Sequence, residues 1–384
     1  MDKIMNQAYL RRNIFKVLKK SKLIFNTFEW ITGYKDIQVQ NRIHSQDSRK
    51  SPIIIRREKN LIQEYWHCGL FHYYRYGLPY LSLTDDELLD YVPTFYHHKK
   101  LEKDHDGLDT VFYGDKLIQA RLFRDRQIPS AEVVAYNNGN KWFDFSSSHV
   151  IDIFSLVETS LTKETDKLFI KPTGGQGGFG IFVLKRRDNS YLVNSESVDL
   201  QVFLASLRKS SFILQKGLIQ SNQMMDINPS SVNTLRVVVQ KEEERMVMKT
   251  CIIRMGRRGK EVDNSAQGGV SVAVNTMTGQ VAATATAEHG GGVMTSHPDT
   301  GKAFGDIIIN HWTPLKREIE AIGTKLIDFK NIALDIAVTE EGAKLLEFNF
   351  RYGIEHQQCV LGGARRLLDI YPNGSKTILT KDRY

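Results

Sequence analysis

The sequence predicts an α+β protein built on antiparallel sheets, and three observations carry that reading. From residue 115 onward, short β-branched and aromatic runs are interrupted by segments of helical periodicity. Three strand-like segments, NTLRVVVQ, RMVMKTCIIRMG and GGVSVAVN, follow one another in hairpin-like succession, without the helical crossovers that a parallel sheet needs. Ahead of residue 110 the pattern is mostly helical.

Composition bounds the answer. The 384 residues are 41% apolar and 25% charged with 9 prolines, an ordinary globular composition with material for two or three domains at roughly 150 residues each. Global disorder, collagen and coiled-coil rods are excluded. No apolar run approaches the roughly 18 residues of a membrane span. The N-terminus is charged and lacks an apolar stretch followed by a small-residue cleavage site, so a non-secreted protein is expected. Cys68, Cys251 and Cys359 are odd in number and widely spaced, which speaks against disulfides or structural zinc and for a reducing, cytoplasmic setting.

The net charge of +8 favours an acidic partner without choosing among nucleotide, sugar phosphate, nucleic acid and anionic lipid. Residues 1–22 carry Lys3, Arg11, Arg12, Lys16, Lys19, Lys20 and Lys22 against Asp2 alone, with Ile4, Leu10, Ile14, Leu18 and Phe25 at near-helical spacing. Such a helix either lies peripherally on an anionic membrane or docks on its own protein, the second being preferred. Nucleic acid fits poorly, because the basic residues show neither aromatic interleaving nor a helix-turn-helix pattern.

Four regions follow: a basic arm and linker over 1–52, a mostly helical region over 53–110, and two α+β segments over 111–215 and 216–384. In the second region Tyr65, Trp66, Phe71, Tyr73, Tyr74, Tyr76 and Tyr80 read as core packing before a sugar-stacking platform. His97, His98, Lys99 and Lys100 read as a solvated loop. DKLIQARLFRDR is an amphipathic helix, IPSAEVVAY a turn into a strand, KLFIKP and GIFVLKRR strands about a glycine-rich loop, SVDLQVFLASLRK a helix and SFILQKGLI a strand. A helix is expected through 314–328, then a hairpin, NIALDIAV-TEEG-AKLLEFNF, and a C-terminal helix.

Two places carry chemistry. In FIKPTGGQGGFG, Lys171 ends a strand and Gly174, Gly175, Gly177, Gly178 and Gly180 follow. Glycines let backbone N–H groups approach phosphate oxygens, and a lysine adds neutralising charge, although a glycine-rich hairpin by itself is as often a flexible turn. No GK[ST] follows the loop, so it is not a P-loop, and the lysine precedes the glycines, unlike a protein kinase. In the last hairpin, a three-residue turn at Glu340–Gly342 sets Asp335 opposite Glu347, with Asn349 on the same face. Two carboxylates and an amide oxygen among apolar neighbours suit Mg²⁺ bridging phosphates; the rival is an ordinary hairpin with polar residues outward, which Asp335 inside IALDIAV makes less attractive. Arg236 and Arg254 lie on neighbouring strands and would mean little alone.

Taken in order, these pieces resemble the ATP-grasp superfamily, and SVNTLRVVV, HPDTGK and LDIAVTEEGAKLLEFN are most similar to the sugar-transfer-associated ATP-grasp family, over about residues 110–365. The resemblance implies two α+β subdomains clamping ATP, and a ligase that phosphorylates a carboxylate and then lets an amine attack the acyl phosphate. It implies that Lys116 and Lys171 hold ATP phosphates, that the Gly174–Gly180 loop closes over them, and that the strand Leu214–Leu218, with Gln215 and Lys216, meets adenine. It assigns Arg236 and Arg254 to the transferring phosphoryl group and Asp335, Glu347 and Asn349 to magnesium. Phosphoryl transfer needs this set, being mostly positioning and electrostatics. The implied setting is cell-surface polysaccharide or sugar-conjugate synthesis, with small carboxylate and amine substrates that include sugar-linked ones. Two rivals are an ATP-grasp phosphotransferase acting on a sugar hydroxyl and a non-catalytic membrane-surface binding module. The sequence departs from the family's pattern at Lys216, where relatives carry an acidic residue, at Phe350-Arg351-Tyr352, where Pro-Gly follows the metal-binding Asn, and before residue 110, which does not read as a parallel α/β domain.

Overall fold

A computed structural model describes residues 49–372, except 163–164, 176–179, 189, 208–209, 260–268 and 288–292. The basic arm of residues 1–22, most of the linker, Gly177, Gly178 and Gly268 lie outside the described residues. The chain divides into two compact units, one holding 49–99 with 354–372 and the other holding the described residues between 100 and 353.

The first unit is helical. Helix α1 (Pro52–Trp66) starts where Ser51 accepts the Ile54 N–H and Pro52 occupies the first turn, and it stops at His67 in the left-handed region, φ 48°. Helices α2 (Phe71–Arg75) and α3 (Asp85–Leu89) follow, the latter opened by a reciprocal Thr84–Glu87 capping box. The aromatic cluster is core: Trp66, Phe71, Tyr73 and Tyr76 are buried, and Trp66 packs on Tyr96 at 5.1 Å between ring centroids. Fully buried Arg365 donates to Asp90 at 2.9 Å and to the Tyr65 hydroxyl at 2.8 Å. The expected loop at 97–100 is instead part of helix α4 (Thr94–Asp104), in which the division between units falls. His97 is fully buried because it shares the inner helix face with Leu101, four residues on.

The second unit holds two seven-stranded sheets in which every neighbouring pair is antiparallel, as the hairpin succession predicts. Helix α5 (Lys116–Asp125) leads into the first sheet. Its strands are β1 (Val133–Asn138), β2 (Trp142–Asp144), β3 (Lys167–Pro172), β4 (Phe182–Arg187), β5 (Ser190–Val193), β6 (Glu196–Val198) and β7 (Ser211–Lys216), in the order β2-β1-β7-β3-β4-β5-β6. Helices α6 (Ile153–Ser160) and α7 (Leu200–Ser206) join its core through Val157, Leu200 and Leu204.

The second sheet runs β12-β11-β10-β9-β8-β13-β14. After helix α8 (Asn222–Ile227) come β8 (Thr234–Glu242), β9 (Arg245–Met255), β10 (Val270–Val274), β11 (Val281–Ala287), β12 (Val293–Met294), β13 (Asn331–Thr339) and β14 (Gly342–Asn349). Helix α9 (Trp312–Thr324) covers it with Leu315, Ile319 and Ile322; it ends before the expected residue 328, giving way to a 3-10 turn at Ile327–Phe329. The HPDTGK segment pins the end of β9. Arg257 donates to Asp299 at 2.8 and 3.0 Å, and His297 Nε2 donates to the Gly256 carbonyl at 3.1 Å while its Nδ1 accepts the Asp299 N–H. Among the described residues no helix is long and apolar enough to cross a membrane.

Burial holds three histidines neutral in the fold: His72 is pushed down to about 3, and His105 and His297 lie below the ordinary 6.5. Below pH 6.5 the unfolded chain binds protons that the folded chain refuses, so stability present at neutral pH is lost as pH falls. The slope is at most about 1.4 kcal/mol per pH unit for each histidine. Urea unfolding at pH 7.5 and pH 5 reads this directly; equal stability at the two pH values would contradict it.

Candidate functional site

Helix α5 lies between the two sheets. Leu117 and Ala120 pack with Val133 and Ile213 of the first sheet, and Phe123 joins the core of the second. Asp115 caps the helix by accepting the Leu117 and Ile118 N–H groups, and the Lys116 N–H donates to the Thr173 carbonyl at 2.8 Å. The helix start is thereby fixed beside the glycine loop. Lys116 Nζ donates to the Gly175 carbonyl at 2.9 Å and lies 3.8 Å from Glu347.

Lys171 is the penultimate residue of β3, where its register partner is Ile213 and where Gln215, two residues on, shares its face. Lys171 Nζ donates to Gln215 Oε1 at 2.6 Å, and Gln215 donates onward to the Ala131 carbonyl at 3.3 Å. Strand β7 ends at Lys216, short of the expected Leu218, because the chain turns there. The Lys216 and Gly217 N–H groups donate to the Glu132 and Lys167 carbonyls, both at 2.9 Å. A Cβ at Gly217 would come within 2.7 Å of Lys167, so the position needs glycine. Lys216 also pairs with Glu132 at 2.9 Å.

The second sheet supplies the acidic side. Asp335 stands opposite Glu347 on one flank and Arg236 on the other, while Arg254 stands opposite Thr234. The route to that register differs from the expected one. The turn is two residues, Glu340 and Glu341, and the ladder runs Thr339↔Gly342 to Ile336↔Leu345 before a bulge at Leu346 restores Asp335↔Glu347. Without the bulge, Leu346 would oppose Asp335, and Glu347 and Asn349 would turn to the face of Leu345.

Asp335 is 2% exposed and accepts both Nε and Nη2 of Arg236, with Arg254 Nη2 at 3.4 Å. Burial pushes its carboxyl up, but the charges of Arg236 and Arg254 and the Arg236 hydrogen bonds outweigh that, and the group is held below the ordinary carboxylate value. Arg254 is steered by donating to Thr234 Oγ1 at 3.2 and 3.0 Å. Asn349 Nδ2 is 3.5 Å from both Asp335 and Glu347.

Lys116, Lys171, Gly174, Gly175, Gln215, Lys216, Leu218, Arg236, Arg254, Asp335, Glu347 and Asn349 all line one cavity of about 330 Å³. Gly180 does not line it; with φ +75° it adopts a left-handed conformation beside Pro172. Among the described residues no group of three His, Cys, Asp or Glu side chains is arranged to hold a metal ion by itself. The oxygen donors are two carboxylates and one amide, a hard set that fits magnesium if phosphates and water complete its shell.

Sequence reasoning missed four residues. Thr234 aligns Arg254, Glu132 offsets Lys216, and Arg351 lines the cavity. Gln119, on the inner face of α5, donates to the Phe348 carbonyl at 2.9 Å and accepts the Phe348 N–H at 3.2 Å, which covers the open edge of β14. The available signal was a polar residue at core spacing between Lys116 and Phe123. Gln119→Ala leaves two buried backbone groups of β14 unpaired and should cost about 2–4 kcal/mol of unfolding free energy. Urea denaturation checks it, and a loss below about 0.5 kcal/mol would show that water replaces the amide without penalty.

Comparison with known proteins places the geometry in context. A family model described as sugar-transfer associated ATP-grasp matches residues 105–367. Among solved structures, carboxyaminoimidazole ribonucleotide synthase from Aspergillus clavatus, in complex with ATP, is 14% identical with a TM-score of 0.39, covering 67% of this chain and 52% of that one. D-alanine–D-alanine ligase from Bacillus anthracis is 11% identical with a TM-score of 0.35, covering 68% and 64%. The biotin carboxylase domain of Hydrogenobacter thermophilus 2-oxoglutarate carboxylase, in complex with MgADP, ADP and bicarbonate, is 12% identical with a TM-score of 0.39, covering 74% and 52%. The chain thus spans less than two thirds of the length of each of these structures. No curated protein matches.

Proposed function

The chain belongs to the sugar-transfer associated ATP-grasp family, and on that premise we propose that it is an ATP-dependent carboxylate–amine ligase working through an acyl phosphate. The observation that carries this is the meeting, in one cavity, of Lys116, Lys171 and the start of the glycine loop with the Asp335–Glu347–Asn349 face. Lys171 and Lys116 neutralise phosphate charge, and the segment from Gln215 to Leu218 borders the adenine. Asp335, Glu347 and Asn349 would hold magnesium, which when bound would neutralise developing phosphate charge. Arg236 and Arg254 donate to the phosphoryl group in transfer and to the acyl phosphate, and no side chain acts as a nucleophile.

The amine then attacks the acyl carbon and phosphate leaves. Small carboxylates and amines, including sugar-linked ones of cell-surface polysaccharide or sugar-conjugate synthesis, are the proposed substrates, in a cytoplasmic setting. ADP release with a pool of carboxylates and amines, read by mass spectrometry, tests the reaction class. An amide product supports it, whereas a phosphorylated sugar hydroxyl as the only product overturns it in favour of a phosphotransferase.

Magnesium-ATP should raise the melting temperature, since a ligand at about a hundred times its dissociation constant adds roughly 2.7 kcal/mol. Glu347→Gln removes one metal-facing charge and should lower turnover about a hundredfold or more with the fold intact. Asp335→Asn should differ, because it leaves Arg236 and Arg254 side by side without their buried counter-charge; a further loss of about 3–5 kcal/mol in stability is expected. Near-normal turnover in folded Glu347→Gln protein would move the metal elsewhere.

The basic arm, residues 1–22, is proposed to bring the enzyme to an anionic membrane bearing a lipid-linked substrate. Each lysine or arginine near such a surface contributes about 1 kcal/mol, weakened by salt. Full-length protein should sediment with phosphatidylserine vesicles at low salt and arm-deleted protein should not. Equal sedimentation would remove the membrane role and leave the ligase reading standing.

A further inference from the structure

We infer that Arg351 anchors an anionic group, carboxylate or phosphate, on the substrate that shares the cavity with the nucleotide; this rests on the reading of that cavity as an ATP site. Six cationic side chains line the cavity, Lys116, Lys171, Lys216, Arg236, Arg254 and Arg351, against two carboxylates, Asp335 and Glu347. Five of the six are engaged. Lys116 lies against Glu347 and the Gly175 carbonyl, and Lys171 is bonded to Gln215. Lys216 pairs with Glu132, and both Arg236 and Arg254 converge on Asp335. Arg351 is exposed, and no described residue pairs with it.

Charge balance then isolates Arg351. Glu132 offsets Lys216, Glu347 offsets Lys116, and Asp335 offsets one of its two arginines. A magnesium-bound triphosphate, a dianion, offsets Lys171 and the remaining arginine. The charge left over is that of Arg351, and an unpaired cation lining a partly enclosed site favours an anion there.

The backbone around Arg351 is held in place. Phe350 is buried with its ring 5.1 Å from those of Phe348 and Phe329, and Tyr352 is buried with its hydroxyl donating to Asn331 at 2.9 Å. Buried anchors on both sides leave the intervening side chain the cavity as its outlet. A guanidinium presents a planar pair of donors that matches carboxylate or phosphate oxygens, so a pre-positioned arginine loses little freedom on binding either.

The test uses full-length protein loaded with magnesium and a non-hydrolysable ATP analogue, so that the triphosphate positions are filled. Acetate and glycerol 3-phosphate are then titrated separately by calorimetry. Saturable binding of acetate alone identifies a carboxylate subsite, and of glycerol 3-phosphate alone a phosphate subsite. In either case Arg351→Gln should weaken that binding about ten- to a hundredfold. Arg351→Lys should weaken it less, and both variants should bind the analogue within about twofold of the unaltered protein. Binding of neither probe to the unaltered protein, or equal binding to Arg351→Gln, overturns the inference. Failure of the unaltered protein to bind the analogue is a separate result and overturns the nucleotide reading itself.

Discussion

The site depends on one buried carboxylate that remains charged. Asp335, in the middle of an apolar strand, would favour its neutral form if burial acted alone. Two arginines from adjacent strands prevent that, and in return their own direction is set by Asp335 and by Thr234. Sheet register therefore determines electrostatics here. Strands β8, β9, β13 and β14 must be aligned residue for residue before the charges balance, so the folded sheet and the charged site form together.

The first sheet achieves positioning differently. Lys171 donates to a neutral amide, Gln215, on the neighbouring strand. A cation bonded to a neutral partner keeps its attraction for a phosphate, whereas one locked to a carboxylate would have to be released first. Helix α5 joins the two arrangements: its first residue meets the glycine loop, its fourth covers the edge of β14, and Phe123 enters the core of the second sheet.

Much of this was legible in the residues. LDIAVTEEGAKLLEFN announces a hairpin, and Asp335 amid apolar neighbours announces a charge that needs company. Most of the long strands and α5 follow from periodicity because their burial is one-sided or complete over many residues, but the seven-residue β11 went unread because VAATATA offers mostly small, weakly apolar side chains. The short strands β2, β5, β6 and β12 were not legible, since two to four residues carry too little alternation to register. Gln119, Thr234 and Glu132 escaped for another reason: their partners are distant in sequence, and a lone polar residue looks the same whether it meets water or a strand edge. The residues 97–100 misled because a run of histidines and lysines suggests solvent, although one turn of α4 carries His97 inward. The hairpin gives a further lesson. An extra residue assigned to the turn and an extra residue in the bulge lead to the same Asp335–Glu347 pairing, so the right pair was reached through the wrong loop.

The bulge at Leu346 also sets how this sequence can tolerate length change. Side-chain direction along a strand is a two-valued quantity, and each inserted or deleted residue inverts it for everything downstream until another change inverts it back. Leu346 is one such inversion, and the metal-facing pair Glu347 and Asn349 lies just beyond it. A single-codon deletion at Leu346 would therefore abolish the bulge and leave Glu347, now following Leu345 directly, still opposite Asp335, whereas an added residue at that point would turn Glu347 and Asn349 away from the site. The hairpin can thus lose one residue before Glu347 along with its bulge, but an insertion there, or a second deletion, needs a compensating change if the parity reaching the site is to be preserved.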